Sequence, residues 1–286
     1  MTPMIAVLFA VMQGATELFP VSSLGHAVIV PKLLHWHIDQ HAPSFLPFVV
    51  MLHVGTATAL LAYFWRDWWN MLRGVLGQGD AVAVNAERGL LLRLVVATIP
   101  AVVIGFVLKK PIAHLFASPM IAAGFIVING GLLLAGEQLR RRRAAGGFGI
   151  GQLTLVDAFV IGLFQCLAFL PGLSRSGAAI VGGLTRGIDH EAAARFAFLM
   201  ATPVIAGATV VEVPKLLHHS AGGHTATGGM FGLAVLAAVV AGVVAYLSTA
   251  FLMKYFRDHD RWALGPFAVY CGVFGVLSLV LLSAGI

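Results

Sequence analysis

Charge is scarce in this chain. Only 10% of its 286 residues are Asp, Glu, Lys or Arg, and 12 of them are acidic. A soluble domain carries about 25% charged residues, so an ordinary soluble fold is excluded. Cysteine is scarcer still. Two residues, Cys166 and Cys271, cannot build a disulfide framework, and both lie in apolar surroundings where packing is the expected role. The apolar N-terminal run has no basic lead and no small-residue cleavage site, and Glu17 interrupts it. It is therefore expected to belong to the mature fold and not to act as a signal peptide. What the chain has in abundance is apolar residues: 59% hydrophobic, with a mean hydropathy of +0.92. An integral membrane protein follows.

Six apolar runs, 45–65, 90–109, 119–139, 190–213, 228–253 and 262–284, each approach or exceed the roughly 20 residues that cross a bilayer as helix. Gly and Ala recur through 120–136 and 228–245, as close helix packing requires, and Pro100 and Pro203 are expected to kink their spans. Two further runs, 4–19 and 153–170, are shorter and end in Pro- and Ser-containing breaks. Irregular backbone survives at membrane depth only where protein buries it, so both read as re-entrant helical hairpins.

The net charge of +6 says little about nucleic acid, because the basic residues follow the membrane. Arg140–Arg143 mark a cytoplasmic loop, and the topology propagated from it puts thirteen of the eighteen basic residues inside. Lys32, Lys109, Lys110 and Lys215 fall outside, and Arg175 lies within the second break. The first hairpin then enters from the outer side and the second from the cytoplasmic side.

The breaks are copies of each other. Gln13, Leu18, Ser22, Gly25 and Ala27 recur 152 residues later as Gln165, Leu170, Ser174, Gly177 and Ala179. The expected fold is an all-α polytopic membrane protein of about six transmembrane helices and two re-entrant hairpins in an inverted-topology repeat. Repeat 1 covers about 1–139 and repeat 2 about 152–286, joined by a cytoplasmic linker at 140–151. Paired broken helices of this kind meet near the bilayer midplane, with half-helix N-termini aimed at anions.

The chemistry concentrates in the breaks. Pro171-Gly172-Leu173-Ser174-Arg175-Ser176 supplies a turn, two hydroxyls and a guanidinium. A serine N-cap beside free backbone N–H groups makes an anion cradle, and Arg175 in hydrocarbon needs an anionic partner. Gln13 and Glu17 share one helix face, and Ser23 and His26 stand three residues apart at the start of the return helix. A carboxylate, a hydroxyl, an imidazole and a guanidinium at one depth suit phosphoryl transfer. Elsewhere the polar residues read as ordinary. His35, His37, Asp39 and His41 form a solvated outer loop, as do His218, His219 and His224. Glu212 lies near the outer end of a span, and Asp189 and Glu191 stand at a helix start. His53 and Asn129 read as helix-packing hydrogen bonds.

The motifs Gln13-xxx-Glu17, Pro20-Val-Ser22-Ser23-Leu-Gly25-His26 and Pro171-Gly-x-Ser174-Arg175-Ser176 resemble the undecaprenyl-diphosphate phosphatase family, the bacitracin-resistance membrane proteins. The likeness extends to Phe64-Trp65-Arg66 and Ile99-Pro100-Ala101 and covers the whole chain. It implies hydrolysis of undecaprenyl diphosphate to the monophosphate, which recycles the cell-wall carrier lipid at the outer face of the bacterial plasma membrane, with Mg²⁺ or Ca²⁺. It also implies that Glu17, Ser23, His26 and Arg175 are catalytic, that Glu17 holds the metal, and that Gln13, Ser22, Gly172, Ser174 and Ser176 bind substrate. Either Ser23 or water is the nucleophile. The family commonly has threonine where this chain has Leu24 and Ala179. The alternative reading is a lipid or anion transporter of the same architecture without hydrolysis, and whether the chain forms a homodimer stays open.

Overall fold

The computed structural model describes residues 2–36, 38, 45–113, 118–142, 147–221 and 227–285, and among these the chain is helical apart from one isolated bridge, Phe148 to Ile188. His37, Asp39, His41, Arg143 and His224 lie outside the described residues, as do the side chains of Lys109, Lys110, Glu212, Lys215, His218 and His219.

Helix α1 (Pro3–Thr16) is opened by a Thr2 cap and by proline in its first turn, and α2 (Ser23–Leu33) follows the first break. After α3 (Phe45–Tyr63), α4 (Trp65–Val75), α5 (Ala81–Ala113) and α6 (Pro119–Arg141) comes the second hairpin, α7 (Leu155–Gln165) and α8 (Arg175–Arg186). The chain ends in α9 (His190–Ala221), α10 (Thr227–Asp258) and α11 (Gly265–Ser283). Each expected span thus has a helix. Among the described residues four, within α5, α6, α10 and α11, are long and apolar enough to cross a membrane by themselves. The fifth candidate is α3, which passes together with α4 across a 71° bend. No proline or glycine marks that bend. It falls at Phe64, where an apolar span gives way to the amphipathic Trp65-Arg66-Asp67 segment.

Apolar side chains cover the outside as well as the core. Phe106 is 86% exposed, and Val102, Val239, Leu247, Val269 and Val273 face outward from α5, α10 and α11. Such a belt is stable only against lipid, so this is a multi-pass membrane protein. Inside, α1, α3 and α10 pack through Phe9, Leu52, Ala237 and Ala241. Gly55 of α3 lies against the Ala238 carbonyl of α10, where a side chain has no room.

Residues assigned to the cytoplasmic side meet at one end of the bundle. Arg186 binds Asp157 at 2.5 Å, Arg257 binds Glu191 at 3.0 Å, and Arg195 binds Asp67. His190, fully buried, hydrogen-bonds Glu137 and Asp260 at 3.0 Å each, and Arg140 also binds Asp260, at 2.9 Å. This network ties α6, α9 and the turn before α11 into one cap.

Candidate active site

Each hairpin is a helix, a break and a second helix, and the breaks end alike. Ser22 caps α2 by accepting from the Gly25 N–H at 3.2 Å; Ser174 caps α8 by accepting from the Gly177 N–H at 3.2 Å. The sequence correspondence at these positions is therefore also a correspondence of hydrogen bonds. The breaks touch directly. Ser176 donates to the Phe19 carbonyl at 3.2 Å, with Ser174 sharing that acceptor at 3.4 Å. Asn129 of α6, fully buried, fastens them together: its amide donates to the Pro20 carbonyl at 2.9 Å and accepts from the Ser174 N–H at 2.9 Å. Gly172 has a φ of 105° and lies against Phe125 and the Ala122 carbonyl, so the second break turns there only without a side chain.

Glu17 stands at the C-terminal end of α1, 9% exposed, and is the hub. One carboxylate oxygen accepts from Arg175 at 2.7 Å. The other accepts from the Ser23 hydroxyl at 2.6 Å and from the Gln13 amide at 3.0 Å. A buried carboxylate needs such partners, and three donors on two oxygens satisfy it. Arg175 divides its guanidinium between Glu17 and the Ala201 carbonyl of α9, 3.3 Å away. A buried charge that needed a partner in each copy has found it in the other.

The spacing of Ser23 and His26 suggests a hydroxyl–imidazole pair, but the structure does not make that bond. The Ser23 hydroxyl goes to Glu17. The His26 ring turns the other way, with Nδ1 on the Ser22 carbonyl at 2.6 Å and Nε2 on the Tyr270 hydroxyl of α11 at 2.7 Å. Ser22 has a φ of 75°, strained for a residue with a Cβ, and this turns its carbonyl into reach of the ring. Helix α2 thus presents its hydroxyl to one wall of the site and its imidazole to another.

His53 of α3 is a further member. Its Nδ1 is 3.4 Å from the Gln13 amide and 3.9 Å from Glu17, and its side chain is 34% exposed. Sequence reading gave it, like Asn129, a packing role; Asn129 packs as expected, but its hydrogen bonds are those that hold the two breaks together. Tyr270 carried no signal at all. Gln165, the counterpart of Gln13, is buried with neither amide atom hydrogen-bonded among the described residues. Phe169 stands where the first copy has Glu17, so the partner is missing. Leu24 lies at the surface of α2, 37% exposed, and Ala179 is buried in α8.

The comparison that decides the family matches residues 6–277 to the model described as bacitracin resistance protein BacA. The chain belongs to that family. It is 78% identical over 285 residues, covering both chains fully, to an undecaprenyl-diphosphatase of Acidiphilium cryptum. It is 56% identical over 289 residues to the undecaprenyl-diphosphatase of Granulibacter bethesdensis, with 96% of this chain and 95% of that one aligned. A third, from Gluconacetobacter diazotrophicus, is 52% identical over 283 residues, with 99% and 98% aligned. The family match takes in both breaks, so Glu17, Ser23, His26 and Arg175 all fall within it.

Proposed function

We propose that this protein hydrolyses undecaprenyl diphosphate to undecaprenyl phosphate and inorganic phosphate in the bacterial plasma membrane, with its site opening to the outer face. One observation carries the reading: a serine hydroxyl held at 2.6 Å on a buried carboxylate whose other oxygen holds an arginine at 2.7 Å. Transport without hydrolysis needs no nucleophile, and this hydroxyl is held against a base as a nucleophile would be. The names of the close relatives point the same way.

The contacts suggest an order of events. As the Ser23 oxygen bonds to the terminal phosphorus, its proton passes to Glu17 and undecaprenyl phosphate leaves. Glu17, now neutral, loses its hold on Arg175, and the guanidinium is free to bind the transferred phosphoryl oxygens. Water then attacks phosphorus and gives a proton to His26, Glu17 returns its proton to the Ser23 oxygen as the bond to phosphorus breaks, and His26 passes its proton to the departing phosphate. If water attacks directly, Ser23 and Glu17 orient it instead. The helix start at Ser174–Gly177 offers backbone N–H groups to the diphosphate.

A divalent cation fits as a companion of the substrate. Among the described residues no three of His, Cys, Asp and Glu converge to cage one. Glu17, Ser23 and Gln13 offer hard oxygens of the kind that Mg²⁺ shares with phosphates and water. Before it takes the Ser23 proton, Glu17 would hold the ion, which would neutralise charge on the diphosphate oxygens.

The test is release of inorganic phosphate from a polyprenyl diphosphate by purified protein in detergent with Mg²⁺ or Ca²⁺. Glu17→Ala and Arg175→Ala should abolish it. A folded wild-type protein that releases none would sink the reading.

A further inference from the structure

His26 is 3% exposed, and both ring nitrogens are committed. Nδ1 faces the Ser22 carbonyl oxygen, which can only accept, so Nδ1 carries a hydrogen. In the neutral ring Nε2 is then the free base, and the atom facing it is the Tyr270 hydroxyl. The ring cannot readily turn away. It lies parallel to Phe274 at 4.6 Å and to Tyr270 at 5.7 Å. Helix α2 brings the Ser22 carbonyl and α11 brings Tyr270 and Phe274. Among the described residues no carboxylate or guanidinium forms an ion pair with this imidazole. Tyr270 itself is 44% exposed. The one basic nitrogen of His26 is therefore reached through a tyrosine hydroxyl.

We infer that Tyr270 is a positioning residue of this site: its hydroxyl fixes His26 in the tautomer with a bare Nε2 and carries the proton that His26 takes up or returns. The transfer balances. Tyr270 gives its phenolic proton to Nε2 while its oxygen receives a proton from water or from a protonated phosphate oxygen. The phenol is neutral before and after, and the imidazole becomes imidazolium. The reverse sequence returns the proton. The catalytic consequence rests on the hydrolysis proposed above; the contact does not.

The test uses Tyr270→Phe, which keeps the ring stack and removes only the hydroxyl. In phosphate release, kcat should fall about 100-fold, the lower end of the range for positioned proton transfer, with KM within about twofold. The limb of the pH profile that His26→Gln abolishes should shift. In the His26→Gln background the same substitution should add less than about twofold, because both changes cut one path. A second readout needs no turnover. With ¹⁵N-histidine, the His26 Nε2 signal, identified by its loss in His26→Gln, should move in Tyr270→Phe while Nδ1 stays protonated. An unmoved Nε2 signal would overturn the contact. An unchanged pH profile, or an equal loss of kcat in both backgrounds, would overturn the proton path. Wild-type protein that releases no phosphate but shows the Nε2 shift would fail the hydrolysis and keep the contact.

Discussion

Arg175→Ala tests the site most directly, because the same ion pair serves folding and chemistry and the two can be separated. Arg175 and Glu17 meet at 2.7 Å with side chains 18% and 8% exposed. Removing one partner of a buried pair costs on the order of 3–5 kcal/mol, because the other is left uncompensated. The Ser23 and Gln13 hydrogen bonds to Glu17 remain, which places the expected loss near the lower end, about 3 kcal/mol. Making Glu17 neutral as well removes the orphan charge, so Glu17→Gln/Arg175→Ala should regain most of that stability. Activity should not return. Loss of an arginine that stabilises a transferring phosphoryl group costs about 10³-fold or more, equivalent to about 4 kcal/mol of barrier. Thermal unfolding in detergent and single-turnover phosphate release, measured on the single and double variants, separate the two effects. The reasoning fails if the double variant recovers turnover, or if Arg175→Ala keeps more than about a tenth of it.

Other outcomes follow from the same contacts. Asn129→Leu leaves the Ser174 N–H unpaired and the Pro20 carbonyl with only the Cys271 thiol at 4.0 Å, at up to about 1–3 kcal/mol each. It should lower the melting temperature and weaken turnover together, whereas Ser23→Ala should abolish turnover with a smaller fall in melting temperature, because Glu17 keeps Arg175 and Gln13 as donors. Gly172→Ala places a Cβ at a φ of 105° against Phe125 and the Ala122 carbonyl. It should destabilise the protein and impair substrate binding, seen as a higher KM in what remains folded. In the network of Arg140 and His190, burial pushes the Asp260 carboxyl up, but the His190 hydrogen bond and the Arg140 charge outweigh it and hold the group below the usual carboxylate range. Its contribution to stability is then present above the unfolded value near pH 4 and lost as pH falls through the lower folded value. Asp260→Asn should flatten that part of a melting-temperature-against-pH curve; an unchanged acid limb would remove Asp260 from the account.

The parts of the site visible in the sequence are those that hydrocarbon makes expensive. Glu17 and Arg175 stand out because a membrane tolerates neither alone; Arg175 was expected to need an anion, and in the fold that anion is Glu17. Ser22 and Ser174 could be matched because capping depends on local spacing, which a sequence displays. The helices were legible for the same reason, through their length and apolarity. Partnerships across the fold were not. Tyr270 reaches His26 from 244 residues away, and nothing in its own neighbourhood sets it apart. Asn129 looked like any polar residue in a span, since its two partners are backbone groups 109 and 45 residues distant. The expected Ser23–His26 pair failed because two residues on adjoining faces of one helix turn can each be drawn off by a stronger neighbour. The bend at Phe64 went unseen because no proline or glycine announces it.

The bond between Glu17 and Arg175 also has a history within each molecule. Its partners are separated by 158 residues of chain. At about 5–20 residues per second, a ribosome delivers the arginine roughly 8–30 seconds after the carboxylate. Through that interval the first hairpin holds an acid whose counter-charge has not yet been made. It must wait protonated, or at the water-facing edge of the bilayer, until the second hairpin arrives. The first half of this protein is thus inserted unfinished. The step that completes the pair of Glu17 and Arg175 is the step that assembles the active site.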